Sequence, residues 1–435
     1  MNLTTIAILG VVVLLVLMFL GMDIGMAMLG VGAVGYWMAT NFGAMLGQLR
    51  NVPATQASDY ALCVIPLFIM MGNFCFASGM SDGLFDVGDK WLSRLPGGLA
   101  CAAIVACAGF GAICGSTAAT AATMGVVAIP AMRKYGYHDS LSTGSISVGG
   151  TLGIMIPPST PFIVYGIMSE VSIGRLFAAG VIPGILLAFL CCLTVVILVL
   201  RNKDLAPSTQ RKITWKERLI SLKGIVWVAI LFIVVLGGMF SGFFTIYEAA
   251  AFGAFGGLVI TAIRRRLTWA SFKAVMKDTV KTTSMTYLIL IGANMFGRFL
   301  AITQAPMKLA STIESLEVSR YIILLFIVII YAIMGCFMDA LPMITLTIPI
   351  FLPIITGLDF DPLWFGVICV LVIELGLVTP PVGLNCYVIS GIAKDVPLGT
   401  IFRGSAPFIP AILLTILLCT VFPDIATWLP GVLYP

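Results

Sequence analysis

Charge is what this sequence has least of. Only 10% of its 435 residues are charged, where a soluble domain carries roughly a quarter. It has one histidine, His138, too few for a His-Glu-x-x-His zinc site, and it has no Gly-x-x-x-x-Gly-Lys loop to cradle nucleotide phosphates. Its eleven cysteines form no Cys-x-x-Cys pair, so metal-binding spacing is missing. Most of them sit inside apolar stretches, as Cys101, Cys107, Cys114 and Cys191-Cys192 do, where a small buried packing residue is the plain reading. The acid–base or metal cluster that a membrane-embedded enzyme requires is therefore absent. A net charge of +5 does not suggest nucleic-acid binding, because the basic residues lie in loops between apolar runs, where they set topology.

What remains is apolar. Hydrophobic residues make up 60% of the chain and the mean hydropathy is +1.11, which places it in the membrane class. Runs long enough to span a bilayer are clearest at Leu3–Leu20, Leu176–Leu200, Ile225–Phe240 and Ala406–Phe422. No Lys or Arg precedes Leu3–Leu20 and no small-residue cleavage site follows it, so it reads as a retained helix rather than a signal peptide.

An internal repeat organises the chain. Gly115-Ser116-Thr117 leads to Pro130 as Met338-Asp339-Ala340 leads to Pro353, an offset of 223 (353 − 130). Gly153-Ile154-Met155-Ile156-Pro157-Pro158 recurs as Gly376-Leu377-Val378-Thr379-Pro380-Pro381, again offset by 223 (376 − 153). Glu170-Val171-Ser172-Ile173-Gly174 with Phe177 matches Asp395-Val396-Pro397-Leu398-Gly399 with Phe402, and Phe19, Gly21, Gly32 and Gly35 match Phe240, Gly242, Gly253 and Gly256. Asn73 and Asn294 share that last offset. The halves are residues 1–200 and 224–435. Residues 201–223 form a basic linker carrying Arg201, Lys203, Arg211, Lys212, Lys216, Arg218 and Lys223, which the positive-inside rule makes cytoplasmic.

Arg264–Lys281 is also basic, with Arg264, Arg265, Arg266, Lys273, Lys277 and Lys281, while the equivalent segment Gly43–Tyr60 carries only Arg50. Equivalent loops of opposite charge character predict opposite sides of the membrane, and hence inverted repeats, the architecture of secondary transporters. Both termini are then periplasmic. Each half reads as two helices, a surface segment and a third helix (Ala61–Ser78; Tyr287–Thr303). An amphipathic stretch (Ser81–Leu95; Gln304–Arg320) leads to a stretch interrupted midway, about 97–132 and about 322–355, which predicts a re-entrant hairpin. A helix broken at a Pro-Pro pair follows (about 140–168; about 363–393), and then a closing helix.

Breaks in a membrane helix survive only where protein buries them or they line a cavity. Freed carbonyls and hydroxyls there are hard ligands for a small cation, and half-helix N-termini favour an anion. The cation-ligand candidates are Gly115, Ser116, Thr117 and Gly153 in the first half, and Asp339, Ala340, Gly376 and Thr379 in the second. The substrate candidates are Pro157, Ser159, Thr160, Pro380 and Asn385, joined by Arg298, which lies roughly 16 Å into a helix starting at Tyr287. Snorkelling or pairing with a carboxylate is the alternative for Arg298. Glu374 reads as a structural hydrogen-bond partner, and Asp23 and Glu248 as helix-junction residues. Close packing of small residues explains part of Ala118–Ala122, but not Pro-Pro at the same place in both halves.

Gly111 to Pro130, Gly153 to Gly166, Asp339 to Pro353 and Gly376 to Asn385 together resemble the large membrane subunit of tripartite ATP-independent periplasmic (TRAP) transporters, over essentially the whole chain. The resemblance implies an all-α polytopic bacterial inner-membrane protein working as an elevator, with sodium as the coupling ion. It also implies a small four-helix membrane subunit, a periplasmic substrate-binding protein and a small organic anion as cargo, of carboxylate or sulfonate type. With no small-subunit segment read ahead of Met1, the expectation is an unfused form. The hairpin tips read Gly-Ser-Thr and Met-Asp-Ala, departing from the paired Ser-Asn-Thr of the related self-contained divalent-anion/sodium symporters. Such a carrier, or a channel, is the alternative; a symporter accumulates substrate on a sodium gradient and a channel only equilibrates it.

Topology is directly testable. Reporters fused after Lys212 and Arg266 are expected in the cytoplasm and one at Gln56 in the periplasm; Gln56 on the same side as Arg266 contradicts inverted repeats.

Overall fold

Capping signals start most of the long helices. In the computed structural model, which describes residues 2–207, 213–314 and 318–434, Asn2, Asp23, Asn41, Ser116, Ser172 and Asp339 each turn a side-chain oxygen onto the first free N–H groups of a helix. Capping boxes do the same at Thr214–Glu217, Thr245–Glu248 and Thr268–Ser271. His138 caps a helix too, its Nδ1 facing the Ser140 N–H at 3.2 Å.

The first half runs α1 (Leu3–Phe19), α2 (Ile24–Ala39), α3 (Phe42–Ser58), α4 (Val64–Ala77), α5 (Met80–Leu92), α6 (Gly98–Cys114), α7 (Thr117–Lys134), α8 (Asp139–Thr151), α9 (Thr160–Ser169) and α10 (Ile173–Arg201). A linker helix, α11 (Trp215–Ser221), precedes α12 (Val226–Phe232) and α13 (Gly238–Phe240), which a π turn at Ile233–Gly237 joins. Then come α14 (Ile246–Ile263), α15 (Trp269–Thr303), α16 (Ala305–Glu314), α17 (Arg320–Gly335), α18 (Ala340–Gly357), α19 (Pro362–Val378), α20 (Leu384–Ile392), α21 (Leu398–Ser405), α22 (Ile409–Val421) and α23 (Asp424–Leu433). Six helices among the described residues are long and apolar enough to cross a bilayer, or seven if the bent pair Trp215–Gly224 and Val226–Phe240 is one span.

Burial runs opposite to a soluble fold. On α10, Ile185, Phe189, Ile197 and Leu200 are exposed while Gly180, Pro183, Leu187 and Cys191 are buried, leaving an apolar outer face for lipid. The centre of the molecule is α8 and α19. Leu141–Thr151 of α8 and Leu363–Val378 of α19 are buried without exception. The hydroxyls that α8 takes into this core bond back to its own carbonyls, Ser147 to Thr143 at 2.9 Å and Thr151 to Val148 at 2.8 Å, so their burial leaves no donor unpaired.

Around this core the second helix of each half packs on the third helix of the other, α2 on α15 and α14 on α4. Glycines permit the approach. A Cβ at Gly25 would stand 2.9 Å from the Ile289 nitrogen and one at Gly32 2.7 Å from the Phe296 nitrogen; on the other pair one at Gly253 would meet Met71 Sδ at 2.6 Å. Thr261 on α14 donates to the Phe74 carbonyl of α4 at 3.0 Å. At one end Arg133 reaches Asp139 and, from the other half, Asp395, each at 2.7 Å; the guanidinium holds the Asp395 carboxyl below its ordinary range.

Three expectations need correction. The segments Gly43–Tyr60 and Arg264–Lys281 are largely helical, as α3 and the start of α15. The third helix of the second half begins at Trp269, not Tyr287, because the Thr268–Ser271 box starts it and no proline interrupts it. At 35 residues it is ~52 Å long, so its first third, with Lys273, Lys277 and Lys281, extends beyond an apolar layer of ~30 Å. Arg298 thus lies about one and a half turns before the helix's C-terminal end at Thr303, not deep within a helix from Tyr287. Arg211 and Lys212 of the linker, and residues 315–317 of the stretch Gln304–Arg320, lie outside the described residues.

Gly32→Ala should lower stability by about 1–3 kcal/mol, because the α2–α15 backbones must part to admit the methyl. Gly30→Ala on the same helix meets nothing within 4 Å and should be neutral or stabilising by up to ~1 kcal/mol. Detergent melting temperatures of the two variants separate these outcomes.

Candidate functional site

Two helix junctions meet two helix breaks. α6 ends at Gly115, whose φ of +63° suits glycine, and Ser116 caps α7, its Oγ facing the Ala119 N–H at 3.4 Å. Gly115 presses against the first break: a Cβ there would lie 3.2 Å from Thr160 Oγ1 and 3.3 Å from the Pro158 carbonyl. One turn back, the backbones of Gly111 and Gly153 touch, so that a Cβ on Gly153 would stand 2.9 Å from the Gly111 Cα. In the second half Asp339 caps α18, accepting from the Ala340 N–H at 2.8 Å. There Gly335 and Gly376 make the equivalent approach, a Cβ on Gly335 falling 3.0 Å from the Gly376 Cα, and the Gly383 N–H bonds the Cys336 carbonyl at 3.3 Å. Both breaks contain a cis Pro-Pro bond, Pro157–Pro158 and Pro380–Pro381.

The two junctions enclose one cavity of about 170 Å³. Its walls are Gly115, Ser116 and Thr117 from the first junction, Asp339, Ala340 and Pro342 from the second, Thr160 from α9, Asn73 from α4, and Thr282, Thr286 and Ile289 from α15. Hydroxyl, amide and carboxylate oxygens dominate its polar lining. Among the described residues Asp339 is the one charged side chain in the wall, and no basic group lines it. Among the described residues no three His, Cys, Asp or Glu side chains gather into a metal-binding cluster.

Of the cation-ligand candidates, Gly115, Ser116, Thr117, Asp339 and Ala340 therefore share this cavity. Gly153 and Gly376 do not line it; they are the points where helix backbones touch. Thr379 turns its hydroxyl onto the Leu375 carbonyl at 2.6 Å. Among the substrate candidates only Thr160 reaches the cavity. Pro157 is buried away from it, and Ser159 spends its hydroxyl on the Ile154 carbonyl at 2.5 Å. Pro380 is exposed, and Asn385 is buried with its Nδ2 on the Ser147 carbonyl at 3.1 Å and its Oδ1 unpaired.

Arg298 lines a second cavity. Its Nε donates to Asn294 Oδ1 at 3.0 Å and its Nη1 to Gln48 Oε1 at 2.5 Å. Amides hold it, not the carboxylate that the alternative reading expected. Glu374 also departs from expectation: it is fully buried and among the described residues neither carboxylate oxygen has a hydrogen-bond partner. Asp23 caps α2 and Glu248 completes the Thr245 capping box of α14, as expected for junction residues.

Sequence reasoning missed Thr282, Thr286 and Asn73 as cavity residues. Asn73 carried a signal, its pairing with Asn294 in the repeat, and it donates to Thr279 at 3.0 Å. The threonines carried none: they fall between the basic segment Arg264–Lys281 and the expected helix start at Tyr287.

The family model described as tripartite ATP-independent periplasmic transporter, DctM component, matches residues 11–425. This chain belongs to that family. It is a multi-pass membrane transport protein, not an enzyme. It is 36% identical to the C4-dicarboxylate TRAP transporter large permease protein of Pseudomonas aeruginosa, over 86% of this chain and 87% of the relative. The sialic acid TRAP transporter large permease protein of Vibrio cholerae is 31% identical over 95% and 96%. The isethionate TRAP transporter permease protein of Oleidesulfovibrio alaskensis is 35% identical over 88% of this chain and 60% of its own length. In fold the chain resembles the YdaH transporter of Alcanivorax borkumensis, with a TM-score of 0.60 at 15% identity, covering 90% of each chain.

The hydrogen bonding separates Ser159 from the cavity wall. Ser159→Ala should cost about 1 kcal/mol of stability by leaving the Ile154 carbonyl unpaired, read as a lower melting temperature, without altering any ion response of transport. An altered ion response with unchanged melting would move Ser159 into the site.

Proposed function

We propose that this chain is the large transmembrane subunit of a sodium-coupled importer of a small organic anion, delivered by a periplasmic binding protein and moved by an elevator displacement. The observation that carries this reading is the cavity closed by Ser116–Thr117 on one side and Asp339–Ala340 on the other. An anion entering a chamber whose only charge is a carboxylate is repelled. A cation held by Asp339 and the surrounding hydroxyl and carbonyl oxygens removes that repulsion, so that anion and cation bind together. That is the physical content of symport: neither species is stable in the site alone.

Several observations support the inverted-repeat arrangement of 1–200 and 224–435. The glycine contacts Gly111–Gly153 and Gly335–Gly376 fall at matched positions, and the α2–α15 and α14–α4 pairings are reciprocal. In this arrangement both chain termini are periplasmic. The α6–α7 and α17–α18 pairs, with both broken helices, form the moving body. α2, α4, α14 and α15 form the frame against which it slides. A small membrane subunit covers part of that frame. The relatives are named for C4-dicarboxylates, isethionate and sialic acid, all acids, which favours a carboxylate or sulfonate cargo.

The test is uptake into proteoliposomes holding the assembled subunits, with the binding protein and an imposed sodium gradient. Substrate should accumulate above equilibrium, and only when the binding protein is present; accumulation without it favours a self-contained symporter, and equilibration without accumulation a channel. Ser116→Ala should raise the half-saturating sodium concentration roughly threefold to tenfold, as expected for one lost hydroxyl ligand. Asp339→Asn should raise it by at least about tenfold, because a charged ligand is lost. An unchanged sodium response in both variants removes the cavity from the ion sites.

A further inference from the structure

The cavity around Arg298 is the larger of the two, about 590 Å³, well within the ~300–1,000 Å³ of small-molecule sites. It shares three walls with the inner chamber. α9 contributes Thr160 to the inner cavity and Ile167 to the outer. α18 contributes Ala340 and Pro342 to the inner and Pro349 and Pro353 to the outer. On α15 the helical face through Thr282, Thr286 and Ile289 continues as Ala293, Gly297 and Ala301, a spacing of three or four residues that keeps one face. Measured along these helices the two cavities lie roughly 10–17 Å apart. They lie end to end along the same three helices.

Arg298 lines the outer chamber. Two of its N–H groups are taken by Asn294 and Gln48, which orient the guanidinium, and among the described residues it makes no ion pair. The remaining N–H groups are free for an anion, and the guanidinium edge suits a carboxylate or sulfonate. The chamber also contains Asp59 and Glu170, both exposed. Asp59 is partly engaged, accepting from the Ala61 N–H at 2.9 Å. Two carboxylates near one guanidinium weaken the hold on an anion without abolishing it. A station on a route has to release what it takes.

We infer that Arg298 forms an outer anion subsite in this chamber, where the carboxylate or sulfonate group of the cargo docks before moving to the inner chamber. The inference rests on the anion-import reading above for the identity of its ligand, but its test does not. In the purified subunit with Ala301→Cys, a wall residue close to Arg298 on the same helix, the thiol is labelled with anionic 2-sulfonatoethyl and cationic trimethylammonioethyl methanethiosulfonates. Protein without the introduced cysteine serves as the blank. Adding Arg298→Gln should lower the anionic-to-cationic rate ratio by about threefold to tenfold, the effect of one nearby charge in a partly hydrated cleft. Arg298→Lys, which keeps the charge, should preserve it and also guards against a folding defect in the glutamine variant. Succinate, used as the probe anion, should slow the anionic label in detergent and do so less in Arg298→Gln.

A ratio that Arg298→Gln does not move overturns the subsite, and so does protection that requires added phosphatidylglycerol and not succinate, which assigns the guanidinium to lipid phosphate. Protection produced only by the binding protein overturns it in favour of a protein contact. Sodium-driven accumulation is scored separately on the wild-type complex, so failure of symport and failure of the outer subsite are distinguishable.

Discussion

A backbone that leaves its helix inside a membrane has to find its hydrogen bonds in the protein, because lipid offers none. That constraint organises this molecule. The chain breaks its helices at Met155–Ser159 and at Thr379–Gly383, and at each break a helix junction from the same half is pressed against it. Gly383 donates to Cys336, and Ser159 donates to Ile154. The glycine pairs Gly111–Gly153 and Gly335–Gly376 allow the approach, since a side chain at Gly111, Gly153 or Gly376 would force the helices apart. The irregular segments are therefore held by the most thoroughly buried helices in the chain, α8 and α19.

The same constraint explains why chemistry gathers there. A junction with free N–H groups at one end and hydroxyls beside it is a rare polar place within an apolar body. Ser116 and Asp339 each occupy the cap position of a helix that starts inside the protein, and each spends an oxygen on that helix's first turn. Both also line the cavity, so the groups that end the helices are the groups available to an ion. Among the described residues the wall contains Asp339 and no basic residue, and Arg298 lines a separate chamber.

The residues that were read correctly and those that were not divide along a physical line. Apolar runs, basic loops and the repeated Pro-Pro and small-residue breaks are local signals, since each acts on the backbone within a few residues of itself. The positions of the breaks followed from them, as did the junction placement of Asp23 and Glu248. Long-range contact has no such signal. Thr379 and Ser159 have hydroxyls suited to a ligand, but each finds a carbonyl of its own segment first. Gly153 and Gly376 present carbonyls near a break, yet they serve as surfaces for another helix.

From its sequence alone this protein could be placed in a membrane and assigned its breaks and the family its motifs resemble, because apolar length and proline act locally. The tertiary structure alone decided which junction faces which break and that Asn73, Thr282 and Thr286 join the inner chamber. It also decided that Arg298 stands near the end of a 35-residue helix, in a chamber of its own. Those outcomes depend on how helices distant in the chain cross one another, and the crossings are set by glycine contacts between backbones hundreds of residues apart in sequence, such as Gly25 on Ile289 and Gly32 on Phe296.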